Sequence, residues 1–84
     1  MKIRKDMTEE EFIEVVANDC IKKLSEEDIQ CLRDNPDPLD HHTGYGVYIR
    51  NHYIHRAKLP FPAMADNLSN AIITRIMEIL NIEN

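Results

Sequence analysis

The sequence predicts an all-α single domain of about four helices joined by short connections, and three observations carry that expectation. Apolar residues recur at intervals of three and four through most of the chain. Ser, Thr or Asp stands where helices would begin, twice followed by a run of acids. The proline pairs Pro36/Pro38 and Pro60/Pro62 interrupt the pattern, because proline cannot continue a helix.

The first helix is expected over about Glu9 to Leu24. Thr8-Glu9-Glu10-Glu11 reads as a capping box, three glutamates suit the positive end of the helix dipole, and Lys22 and Lys23 suit the other end. Phe12, Val15, Val16, Cys20 and Leu24 share its apolar side. A second helix starts after Ser25 with a narrow face of Ile29 and Leu32, and Asn35-Pro36-Asp37-Pro38 ends it. A third is placed at about Pro38 to Tyr53, capped by Asp37, with Leu39, His42, Gly46, Ile49 and Tyr53 in one stripe that Val47 and Ile54 widen. Lys58-Leu59-Pro60-Phe61-Pro62 reads as a stiff connector that packs Leu59 and Phe61 onto the domain. Asp66 or Asn67 then caps a fourth helix with two apolar rows, Leu68/Ile72/Ile76/Ile79 and Ile73/Met77/Leu80. The third and fourth helices are expected to form the centre. The domain is read as residues 1–84, with residues 1–7 a loosely ordered lead.

A chain of 84 residues hides about 60–65% of its unfolded surface, so oligomerisation is a ready source of further buried area. No run approaches the ~20 apolar residues that a membrane span needs, and the basic N-terminus is followed by acids instead of an apolar signal core. Cytoplasmic location follows as an expectation. Cys20 and Cys31, on two expected helices beside apolar residues, are read as buried free thiols.

Charge is distributed unevenly. Residues 1–40 carry a net −6 and residues 66–84 a net −2, whereas His41 to Ala65 contains no Asp or Glu and carries Arg50, Arg56 and Lys58. An acidic protein with one basic segment is a poor general nucleic-acid binder, though it could hold a single anionic group.

That segment opens with His41-His42-Thr43-Gly44-Tyr45-Gly46-Val47-Tyr48-Ile49-Arg50-Asn51. Two glycines inside an expected helix cost ~1 kcal/mol each relative to alanine, so something approaches the backbone closely there, a neighbouring helix or a ligand. The stretch resembles a family of small, mostly bacterial, uncharacterised domains whose signature runs approximately H-F-G-L-G-x-W-I-R-N. His42, Gly44, Gly46, Ile49, Arg50 and Asn51 match it, with Tyr48 in the aromatic place. A second block of that family, approximately P-D-D-x-S-x-I-I, is met at Asp66, Ser69, Ile72 and Ile73. Thr43 and Tyr45 depart from the signature, and the segment between the blocks is short and proline-rich. The resemblance covers about Leu39 to Leu80 and implies a compact helical domain, with no activity attached.

Candidate site residues concentrate in the same place. Tyr45 and Tyr48 share a rim beside Arg50, a composition typical of binding hot spots. Arg50 can offer its planar fork to an anion, oriented by Asn51, or pair internally with Asp66 or Asp40; the specific pairing expected is Arg50 with Asp66. His42 lies on the apolar stripe as a hydrogen-bonded core or boundary residue, and His41 should point elsewhere. His52 and His55 are three apart, but no second spaced pair completes a tetrahedral metal site. No nucleophile is flagged by its context. The expectation is therefore a non-enzymatic binding or regulatory module without metal or cofactor, meeting a protein partner or a second copy as a homodimer. It would do so through the rim around His42, Tyr45, Tyr48, Arg50, Asn51 and Arg56 and the 58–64 connector. The alternative is a domain that holds a small anionic, nucleotide-like ligand with Arg50, Arg56 and His42.

Overall fold

The architecture follows from two long helices that each hide one face in the other. The computed structural model describes residues 4–56 and 58–82. In chain order it contains α1 (Glu9–Lys23), α2 (Glu26–Asp34), a 3-10 turn (Pro38–His41), α3 (Tyr45–Ile49), a π turn (Arg50–Ile54) and α4 (Ala65–Ile79), with no strand among the described residues. The fold is all-α, as the apolar periodicity predicts.

Both early helices begin at reciprocal capping boxes. Thr8 accepts from the Glu11 amide while Glu11 accepts from the Thr8 amide, each at 3.1 Å. Ser25 and Asp28 repeat the arrangement at the start of α2. These satisfy amide donors that a helix start otherwise leaves open, worth ~1 kcal/mol per cap. Ahead of α1, residues 1–3 lie outside the described residues, Arg4 pairs with Glu11, and Met7 is buried against the core.

Phe12, Val16, Ala17 and Cys20 of α1 are fully enclosed, as are Ile72, Ile73 and Ile76 of α4. Each large aliphatic side chain so buried contributes ~1.5–3 kcal/mol. The α1–α4 contact is the most extensive in the molecule, which corrects the expectation that the third and fourth helices form the centre. The physical reason is length: α1 and α4 present fifteen residues each, while α3 offers five. The connector folds back as expected, with Phe61 set edge-on against Phe12 at 5.7 Å between centroids and Leu59 half-buried.

The third helix is the principal departure. In place of one α-helix from Pro38 to Tyr53 there are three windings, 3-10, α and π, divided near Gly44. Asp37 caps the first, its carboxylate accepting from the Leu39 amide at 3.0 Å. Gly44 then stands at the N-cap of α3 with φ −104° and ψ −94°, and the His55 amide donates five residues back to the Arg50 carbonyl at 2.8 Å. The change of winding redistributes the expected stripe: Leu39 is 67% exposed and Val47 39%, while His41 is buried. At α4 the N-cap is Met64, so Asp66 and Asn67 sit inside the first turn instead of capping it. Cys31 is exposed and Cys20 buried, correcting the expectation of two buried thiols; α2 turns little besides Leu32 fully inward.

Candidate functional site

Two neighbouring arrangements grow from the broken helix, one facing inward and one outward. The inner one is centred on Arg50, whose side chain is 12% exposed. One terminal nitrogen donates to the Ser69 hydroxyl and the other to the His42 carbonyl, each at 2.9 Å. The Nε edge lies 3.6 Å from Asp66 Oδ1. Ser69 in turn donates to the Asp66 carbonyl at 3.0 Å. Arg50 thus fastens the start of the π turn to the 3-10 region on one side and to α4 on the other.

The expected Arg50–Asp66 pairing is present as an ion pair, but its character differs. The Asp66 side chain is 65% exposed, so a largely buried guanidinium is held chiefly by two neutral oxygens, with the carboxylate at the edge. Ser69, fully buried, was named in the sequence only as part of the second motif block and emerges as a principal Arg50 acceptor. Asn51 is exposed, and the orientation expected of it comes instead from Ser69 and the His42 carbonyl. His42 is half-buried, its Nδ1 3.3 Å from Asn70 Oδ1. His41 is the more enclosed histidine, its Nε2 2.7 Å from the Asn35 carbonyl at the end of α2. Arg56 is exposed.

Gly46 belongs to this inner cluster. A Cβ there would meet an Arg50 terminal nitrogen at 3.1 Å and the His41 carbonyl at 3.2 Å. The close approach inferred from the glycine is real, but it comes from the chain's own preceding turn and from Arg50, not from a neighbouring helix. Gly44 has open space where a side chain would project.

The outer arrangement is a column of rings. Tyr45 and Tyr48 stack with centroids 5.5 Å apart and planes 7° from parallel; Tyr48 and His52 stack at 4.0 Å and 25°. His52 Nδ1 lies 2.9 Å from the Tyr48 carbonyl, which fixes its ring on the column. Tyr53 meets Tyr48 edge-on at 6.4 Å. The Tyr53 hydroxyl donates to Asp19 at 2.6 Å and accepts from Lys23 at 3.2 Å, and Lys23 and Asp19 are themselves 3.1 Å apart. This triangle ties the column to α1. The sequence marks Lys23 only as a helix-end cation and Asp19 not at all, and the Tyr53–Asp19 contact, spanning 34 residues, leaves no local spacing by which to find it.

The electrostatics keep Asp19 charged and the Tyr45, Tyr53 and Cys20 side chains protonated at neutral pH. Tyr53 and Lys23 hold the Asp19 carboxyl below its usual range by hydrogen bonding. Burial first, then the neighbouring Cys20 thiol, pushes the Tyr45 hydroxyl upward; burial and the bond to Asp19 do the same at Tyr53. Burial also pushes the Cys20 thiol up. A thiol and phenols held protonated are not poised as nucleophiles. Among the described residues no three His, Cys, Asp or Glu side chains gather closely enough to hold a metal ion.

Beside the column lies an open groove of about 360 Å³, lined by Lys23, Leu24, Asp28, Gly44, Tyr45 and Tyr48. Its lining is mostly apolar and includes one cation, Lys23, and one carboxylate, Asp28, and a side chain added at Gly44 would meet open space. Such a surface suits a chain segment with apolar side groups and a charged flank. Arg50, facing inward, contributes nothing to it, and an anion site built on Arg50, Arg56 and His42 loses its central member. No described helix is long and apolar enough to cross a membrane. No family model, curated protein or solved structure matches the chain.

Proposed function

We propose that this protein is a small binding module that meets a protein partner, or a second copy of itself, through the surface around the His42–Asn51 stretch and the 58–64 connector. The observation that carries the reading is the Tyr45–Tyr48–His52 column standing beside the open groove. Rigid tyrosines give large contact area at little cost in side-chain entropy, which is why they recur as anchors of protein interfaces. Here the rings are already stacked and tied to α1 through Tyr53, so binding would order little that is not ordered already. The π turn supports the same reading, since such windings occur frequently at functional sites. A kinship with the small helical domains of the H-x-G-x-G-x-x-I-R-N signature, and a cytoplasmic setting in which Cys20 and Cys31 stay thiols, belong to the same proposal.

Selection of peptides from a displayed random library tests it. Peptides that bind should move the backbone amide resonances of Gly44 to His52, and Tyr48→Ala should weaken them by about tenfold or more while the helical ellipticity is retained. Binders that map elsewhere, binders indifferent to Tyr48→Ala, or a library that yields none would overturn the reading.

A further inference from the structure

The groove and the connector stand at opposite ends of α1 and complement each other. At the C-terminal end, Lys23, Leu24 and Asp28 line the groove. Asp28 closes the exposed acidic run Glu26-Glu27-Asp28. At the N-terminal end, Phe61 is anchored on Phe12. The span from Phe12 to Leu24 corresponds to about 18 Å along the helix axis.

The connector divides its side chains cleanly. Leu59 and Phe61 turn toward their own core, while Pro60, Pro62, Ala63 and Met64 face solvent, Met64 at 70% exposure. The exposed Lys58 leads the segment, and the stretch from His41 to Ala65 contains no carboxylate to oppose an acidic neighbour.

We propose that the occupant of the tyrosine groove is the connector of a second copy, so that two chains pair about a two-fold axis, each laying Lys58–Met64 into its partner's groove. The inference rests on the protein-binding reading above and names its partner. Extended proline-containing segments lose little entropy on docking and are recognised by aromatic-lined grooves, with a flanking cation meeting an acidic rim. Lys58 and the Glu26–Asp28 run supply that pair, the groove's own Lys23 being already matched by Asp19 at 3.1 Å. A two-fold axis across α1 runs the two helices antiparallel, bringing each connector end to the other's groove end, so the contact forms twice and the assembly closes. The pairing also adds buried area to a domain small enough to benefit from it.

Sedimentation velocity of the full chain across concentrations from about 1 µM to about 1 mM decides the matter. The expected result is a shift from the 9.8 kDa monomer to twice that mass, with Gly44→Gln and Lys58→Glu each weakening the dimer about tenfold or more. Both substitutions sit at exposed positions, and a side chain at Gly44 enters open space, so melting curves recorded at the lowest concentration, where the monomer prevails, stay unchanged. A chain that remains monomeric throughout overturns the proposal, as does a dimer indifferent to either substitution. If the monomer still binds selected peptides at Tyr48, the second-copy inference fails and the protein-binding reading stands; if those peptides also fail, both fall.

Discussion

The Arg50 guanidinium donates to the Ser69 hydroxyl at 2.9 Å, and that hydroxyl donates onward to the Asp66 carbonyl at 3.0 Å. The largely buried cation is thereby joined to the first turn of α4 through a neutral relay, with the Asp66 carboxylate an exposed neighbour. Hydrogen bonds from a charged donor are worth ~1.5–3 kcal/mol, whereas an ion pair with an exposed partner gives ~0–1 kcal/mol.

Stability should therefore rank by the relay and not by the charge pair. Arg50→Ala is expected to cost ~2–3 kcal/mol, since it removes both donors from Ser69 and from the His42 carbonyl. Ser69→Ala should cost ~1–3 kcal/mol by leaving one guanidinium donor without its acceptor. Asp66→Asn should cost no more than ~1 kcal/mol. Urea denaturation of the three variants reads the order directly; an Asp66→Asn loss equal to that of Arg50→Ala would return the cluster to a simple buried ion pair.

The two glycines should respond oppositely. At Gly46 an added Cβ presses on Arg50 and on the His41 backbone, so Gly46→Ala should destabilise despite alanine's better helix propensity, and Gly46→Leu should cost ~1–3 kcal/mol through overpacking. Gly44→Ala meets open space and should stay within ~0.5 kcal/mol of the wild type. Paired thermal melts compare them, and equal effects would show that the contact at Gly46 yields freely.

Acid should act through the Asp19 tether and alkali through the phenols Tyr45 and Tyr53. Asp19 has a folded-state value below its ordinary 3.8, so its contribution is complete above that value and disappears as pH falls through the lower folded value. Unfolding free energies measured between about pH 5 and pH 2 should fall less steeply in Asp19→Asn than in the wild type. Tyr45 and Tyr53 have folded values raised above the ordinary phenol near 10. Their contribution is complete below about pH 10 and is lost as pH rises beyond it. Tyr45→Phe should flatten that alkaline limb, and the absorbance at 295 nm from these two phenolates should appear together with the loss of helical ellipticity.

Thiol labelling should separate the cysteines. Cys31 is exposed, while Cys20 is fully buried and its thiol is pushed up by burial. Iodoacetamide at pH 8 should modify Cys31 promptly and Cys20 only after denaturant is added. Mass spectrometry of digested samples counts the two separately. Equal labelling rates under native conditions would mean that the α1–α4 core opens readily.

Helices α1, α2 and α4 were legible because their signals are local. Thr8/Glu11 and Ser25/Asp28 mark starts within four residues, and the α4 rows repeat at helical spacing. The broken third helix was not, since an apolar stripe drawn at α spacing assumes one winding throughout. Once Pro38–His41 winds tightly and Arg50–Ile54 loosely, Leu39 swings outward and His41 inward, while His42 keeps a boundary place beside Asn70. The Tyr45–Tyr48 rim was legible from a spacing of three. The Asp19–Lys23–Tyr53 triangle and the Ser69 relay were not, because their partners meet across distant parts of the chain.

The π turn makes the segment's residue count, and not just its chemistry, a determinant of the molecule. Its surplus residue sets the angular place of Tyr53 and Ile54, both buried, relative to the Tyr48–His52 stack. Deleting one residue within Arg50–Ile54 would restore ordinary α winding and rotate everything beyond by ~100°. Tyr53 would swing away from Asp19, and the outer column would lose its tether to α1. Point substitutions can tune the strength of that tether, but a single deletion disengages it, much as one missing tooth puts a gear out of mesh.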